Sequence, residues 1–209
     1  MAPLFFSQHL SEKLDDLRRA PLSVIEGPAG YGKTTAVHRA LDGTDSDVFW
    51  YTAVKETADS SFSWFVQHLE DADTDAPAKL RSLGSLNRSN ARAAAEIIRD
   101  IRTEREICLV IDNFQYVLEG WQPQIIDSLA KRPHDGLHVI LITQDLGRHR
   151  RITDALESSV CRINAADFLL NEHDIRDFAA AAVTADISPV FLPGSPTAPG
   201  WRSRHMMCR

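Results

Sequence analysis

Three stretches of the chain, residues 21–26, 107–112 and 137–143, are apolar almost without interruption, and each closes on a polar or acidic residue. Runs of that length predict buried strands in a sheet covered on both faces. Residues 48–54 (Val-Phe-Trp-Tyr-Thr-Ala-Val) predict a further strand, and residues 160–163 a short last one. Between them the apolar positions recur every three or four residues. That spacing predicts helices over 8–19, with Leu10, Leu14 and Leu17 on one face, and over 33–41, stopped near Gly43. Further helices are predicted over 62–69, with Phe62, Phe65 and Val66 on one side, and over 91–101, 124–131 and 172–183, the last with Asn171 as its N-cap. Residues 71–89, polar and small, read as a loop. Strands alternating with helices predict an α/β layered domain with a parallel sheet.

The periodicity stops near Thr184, and Pro189, Pro193, Pro196 and Pro199 crowd the remainder. Residues 187–209 therefore read as a disordered or loosely attached tail. At 209 residues the chain suits one domain, or one domain with a fragment of a second, and its net charge of −6 gives no electrostatic case for nucleic-acid binding over the whole surface. The sequence has no apolar run near the ~20 residues of a membrane helix, and its first residues lack the basic start of a signal peptide. A cytoplasmic location is expected. Cys108, Cys161 and Cys208 are too far apart for metal-ligand spacing, and Cys108, inside a strand pattern, reads as a buried, inert thiol.

The candidate chemistry lies at the first strand-to-helix turn. Gly27-Pro28-Ala29-Gly30-Tyr31-Gly32-Lys33-Thr34 satisfies G-x-x-x-x-G-K-[ST] at every position. Phosphates need several backbone N–H donors aimed at one spot, and a chain curls that tightly only where side chains are missing. The following helix adds its N-terminal dipole. Lys33 is then expected to reach the β- and γ-phosphates, the Thr34 hydroxyl to ligate Mg²⁺, and Thr35 to lie near the α-phosphate. The ligand expected is a purine nucleoside triphosphate with Mg²⁺, above all ATP. This phosphate-binding loop, or P-loop, implies a three-layer α/β fold with strand order 5-1-4-3-2. On this reading the domain covers residues 1–165, the start of a helical lid 166–186, and the tail 187–209.

A strand that ends in Asp112 supplies the second element, the Walker B acid, expected to hold Mg²⁺ beside the loop. Lys33 and Asp112 are thus the candidate catalytic residues, and Thr34 and Asp112 the candidate metal ligands. The place where many ATPases carry a second acid holds Asn113, whose amide orients water but takes no proton. Glu26 reads as a solvated acid at a strand end, with an approach to the γ-phosphate as the alternative. Thr143 and Gln144 are candidates for sensing the γ-phosphate, against an ordinary turn role. Arg148, Arg150 and Arg151 read as a solvated basic turn, and Phe49, Trp50 and Tyr51 as packing residues. No metal site beyond nucleotide-bound Mg²⁺ is expected at the histidines.

The string 28–35 after Ser23-Val24-Ile25, with tyrosine between the second and third glycines, resembles the P-loop of the signal-transduction ATPases with numerous domains (STAND), in particular the large LuxR-type regulators related to the maltose regulon activator. Phe49-Trp50-Tyr51 followed by Phe62, Phe65 and Leu69, the string Asp112-Asn113-Phe114-Gln115, and residues 168–174 resemble further segments of that family, over about 14–183. The resemblance implies an ATP-binding switch that self-associates with ATP and inducer and passes the signal to a helix-turn-helix. The departures are Asn113 for an acid, Gln144 for an arginine, a short segment before the P-loop, and a tail unlike the family, as in a truncated or frame-shifted product. The chain carries no DNA-binding pattern of its own. The expected function is an ATP-binding regulatory domain with slow or absent hydrolysis and ATP, ADP and a self-associating or protein partner as ligands. A stand-alone ATPase, a small-molecule kinase and a vestigial fragment are the alternatives.

Overall fold

The computed structural model describes residues 5–54, 66–67, 75–101, 105–117, 122–131, 136–147 and 160–186. In chain order the elements are α1 (Gln8–Asp15), β1 (Leu22–Glu26), α2 (Lys33–Leu41), β2 (Ser46–Thr52), α3 (Ala76–Ser82), α4 (Ala91–Arg99), β3 (Glu106–Asp112), α5 (Gln122–Lys131), β4 (Leu137–Thr143), β5 (Val160–Ile163) and α6 (Glu172–Asp186). The five strands form one sheet in the order β2-β3-β4-β1-β5, every pair parallel. This is the expected order, read from the opposite edge.

The apolar runs explain the layering. Leu22 and Val24, Ile107, Leu109 and Ile111, and Leu137, Val139 and Leu141 pack on one face with Leu80, Ala94, Ile98 and Ile126 from α3, α4 and α5. The alternate residues Ile25, Cys108, Val110, Ile140 and Ile142 pack on the other with Leu10 and Leu14 of α1, Leu17 just beyond it, and Ala36, Val37 and Leu41 of α2. The period of two sends neighbouring residues to opposite faces, and both faces are covered, so the strands read as continuous apolar runs. Every residue of β4 is buried, whereas β2 and β5, at the edges, are only partly so.

Two local expectations change. Residues 71–89 are not all loop: α3 forms within them, with Pro77 in its first turn and Leu80 wholly buried. The helix over 8–19 is two pieces, α1 and a 3-10 turn over Asp16–Arg18 that carries Leu17 into the core. The cap of α6 forms as expected, the Asn171 carboxamide oxygen accepting from the N–H groups of His173 and Asp174. The helix expected over 62–69, apart from 66–67, and the tail over 187–209 lie outside the described residues.

Cys108 is fully buried, and burial pushes its thiol up to about 11. At pH 8 it holds little of the thiolate that reacts. Iodoacetamide at that pH should therefore alkylate Cys108 only after unfolding; equal labelling of the native and urea-unfolded chains in a peptide map would contradict this burial.

Candidate functional site

β1 ends at Glu26, whose neighbour across the sheet is Thr143 of β4, and the chain turns through residues 27–32 before α2 starts. Gly30 (φ 84°) and Gly32 (φ 78°) are in the left-handed region, which side chains disfavour. Gly32 also caps α2, its carbonyl accepting from Ala36 N–H at 2.8 Å. Gly27 is buried: its N–H donates to the Thr143 carbonyl at 3.2 Å, and a Cβ there would sit 3.4 Å from Ala165, just after β5. Pro28, Ala29, Tyr31 and Thr35 are exposed around the turn.

Lys33 is buried at the start of α2, and its Nζ donates to the Pro28 carbonyl at 2.7 Å, folding the loop about its own lysine. Burial lowers the pKa of that ammonium, and the negative charge of Asp112 works the other way. The next residue, Thr34, donates its hydroxyl to Asp112 Oδ2 at 3.1 Å. Asp112 is itself buried, and its Oδ1 accepts from Asn113 N–H at 2.8 Å. β4 separates β1 from β3 in the sheet, so this bond joins the loop after β1 to a strand two places away. The ammonium and hydroxyl of two consecutive residues thus meet a carboxylate 78 positions further along, at one edge of the sheet.

Asn113 has φ 58°, the one described non-glycine residue in the left-handed region. Asparagine and aspartate tolerate that conformation better than most residues, so its identity suits the backbone as well as the site. Thr143 is buried and Gln144 exposed; both meet Gln115, whose Oε1 accepts from the Thr143 hydroxyl at 3.3 Å and from Gln144 N–H at 3.1 Å. Glu26 is half-buried, with Oε1 accepting from Leu146 N–H at 3.1 Å, so it ties β1 to the turn after β4. Arg148, Arg150 and Arg151 lie outside the described residues. Phe49 is buried, and Trp50 stacks on His38 at 3.7 Å between centroids, both consistent with packing. Among the described residues there is no cluster of His, Cys, Asp and Glu fit for a metal, and no helix long and apolar enough to cross a membrane.

The motif reading left two features without a role. Gln115 appeared in it only as part of a strand-end string. Asp167 was missed: it is buried, accepts from His9 Nε2 at 2.9 Å and Lys13 Nζ at 2.8 Å, and closes a capping box with Asn164. Burial alone would raise its carboxyl, but hydrogen bonds from Lys13, the Asn164 N–H and His9 hold it below its ordinary value. The signal for it was Asn164-x-x-Asp167 after a strand.

A parallel sheet between helical layers, with a glycine turn from β1 into a helix that starts at Lys33, defines a P-loop nucleoside-triphosphatase fold. The family model described as an AAA domain matches residues 16–152, and the chain belongs to that family of ATPase-type domains. No curated protein matches. Among solved structures the chain is similar to a STAND protein with a tetratricopeptide repeat sensor from Pyrococcus horikoshii, at 20% identity and a TM-score of 0.58, over 89% of this chain and 26% of that one. A second is the Walker-type ATPase of Pyrococcus abyssi, at 14% identity and a TM-score of 0.48, over 90% of this chain and 60% of that one. The chain thus spans about a quarter of the length of the first and three fifths of the second.

Proposed function

We propose that this chain is an ATP-binding switch domain that hydrolyses its nucleotide slowly. The observation that carries the reading is the meeting of Lys33, Thr34 and Asp112 behind a turn whose glycines take left-handed backbone. The backbone of residues 27–32, with Gly27, Pro28, Ala29, Gly30, Tyr31 and Gly32, would wrap the β-phosphate. Lys33 would meet the β- and γ-phosphates, and Thr35 would lie near the α-phosphate. The Thr34 hydroxyl and the Asp112 carboxylate are hard oxygen donors 3.1 Å apart, the donor type that Mg²⁺ selects, and these two would hold it. The metal, when bound, neutralises charge on the β- and γ-oxygens.

Slow turnover follows from Asn113. Its carboxamide has no proton affinity at neutral pH and cannot act as a general base. Phosphate release should run well below the ~10 s⁻¹ of a typical enzyme. Aspartate tolerates the same left-handed backbone, so Asn113→Asp would place a carboxylate there without rebuilding the turn, and the rate should rise. A wild-type rate near ~10 s⁻¹, or an Asn113→Asp variant no faster than wild type, would show that another group activates the water.

The finer reading is the switch domain of a LuxR-type regulator. It is supported by Tyr31 between two P-loop glycines, by Phe49-Trp50-Tyr51 on β2, and by the likeness of the string 112–115 to that family's strand end. On this reading ATP, rather than ADP, promotes self-association. Sedimentation of the chain with Mg·ATP and with Mg·ADP tests it, and identical mass distributions in the two would count against a switch.

A further inference from the structure

The ends of β3 and β4 are fastened together by one side chain. After Asp112 the chain enters a tight turn: Asn113 takes φ 58°, Tyr116 N–H donates to the Asn113 carbonyl at 3.0 Å, and Val117 N–H to the Phe114 carbonyl at 3.0 Å. Phe114, with no exposure at all, anchors that turn in the core. Gln115 is therefore mounted on a rigid base. Its Oε1 accepts from both the Thr143 hydroxyl and the Gln144 N–H, and its Nε2 lies 3.5 Å from Asn113 Oδ1. From the other side Glu26 of β1 accepts from Leu146 N–H. The segment 144–146 is thus held from β3 by Gln115 and from β1 by Glu26.

The place of this tie gives it meaning. β4 lies between β1 and β3, so its end stands between the P-loop and Asp112. In a P-loop site the α- and β-phosphates lie against the loop backbone, and the terminal phosphate projects toward the Walker B edge. Resting on the nucleotide-site reading above, we propose that Gln115 is a positioning residue for the γ-phosphate: its carboxamide sets Thr143 and Gln144 at the end of β4, and so lets the site distinguish a nucleoside triphosphate from a diphosphate. Gln115 itself need not touch the nucleotide. The Thr143 hydroxyl has a second acceptor, the Asp145 carbonyl at 3.1 Å, whereas Gln115 is the acceptor that the Gln144 N–H meets. Removing that acceptor therefore frees the Gln144 N–H above all, which weakens what the third phosphate meets and leaves the wrapping of the first two as it was.

The test is calorimetric titration of the full chain with Mg·ATP and, separately, Mg·ADP. Gln115→Met keeps the length of the side chain and removes the acceptor. The expected result is a loss of ATP affinity of about 10-fold with ADP affinity changed less than about 2-fold, so that the ATP-to-ADP preference falls. A role confined to folding would lower both affinities together. Should Gln115→Met fail to melt cooperatively, Gln115→Asn, which withdraws the amide by one methylene, is read by the same ratio. An equal loss for the two nucleotides, or no loss, overturns the positioning role while leaving the nucleotide site standing. Failure of the wild-type chain to bind either nucleotide overturns that site, and the proposal with it.

Discussion

Replacing Lys33 by alanine should lower ATP affinity at least ~10-fold while leaving the fold in place. The lysine is the one cation that the P-loop holds buried at the start of α2, and its amine already lies within hydrogen-bond reach of the loop's own Pro28 carbonyl. A charge-assisted bond from such an amine to phosphate contributes about 1.5–3 kcal/mol, and alanine removes it completely. The folded state loses much less. Burial lowers the pKa of Lys33, which means that the site already bears a cost in keeping the ammonium charged, and that cost is relieved in the variant. Binding and stability should therefore separate. The melting temperature of the ligand-free chain should barely move, and the upward shift that Mg·ATP gives the wild type should shrink. An unchanged calorimetric affinity would remove the ground for placing phosphates at residues 27–34.

That experiment tests a site read from eight consecutive residues, and the reason it was legible is local. Gly30 and Gly32 are needed for backbone that side chains disfavour, and Lys33 follows directly at the helix start. The strands themselves were legible for a related reason: the apolar runs over β1, β3 and β4 mark strands buried on both faces, and the motif fixes which strand precedes the loop, whereas their order came from the fold that the P-loop implies. What sequence did not show depends on tertiary contact. Helix α3 sits in a stretch too polar to display a period, and of the helix itself Ala76, Pro77 and Leu80 are buried. The role of Gln115 rests on bonds to residues 28 and 29 positions away, on another strand. Asp167 is held by His9 and Lys13, 158 and 154 positions earlier in the chain. No local pattern encodes such pairs; they exist because α1 lies beside the turn that follows β5.

Asp167→Ala should be strongly destabilising, costing about 2–4 kcal/mol at pH 7. The carboxylate is only 7% exposed, yet every side of it is satisfied. Lys13 and His9 reach it from α1, and the Asn164 N–H donates to it at 2.7 Å as half of a capping box. Truncation leaves Lys13 and His9 without that acceptor, opens the 3-10 turn over Ala165–Phe168, and loosens the hold of α1 on the end of β5. For a chain of this size the cost corresponds to a melting temperature lower by about 4–16 °C. The pH dependence has a defined sign. The folded-state carboxyl titrates below its ordinary value of 3.8, so its contribution is complete above that value and is lost as pH falls through the lower, folded one. The gap between wild type and variant should therefore be widest near neutrality and narrow below about pH 4. The effect should also reach the nucleotide. Gly27, the first residue of the P-loop, faces Ala165 of the same turn so nearly that a Cβ added to it would stand 3.4 Å from that residue. Loss of the turn withdraws one wall of the loop, so ATP affinity should drop even though Asp167 meets no phosphate. Equal melting temperatures for the two proteins at pH 7, or a gap that widens toward pH 3, would show that this buried cluster does not secure the turn.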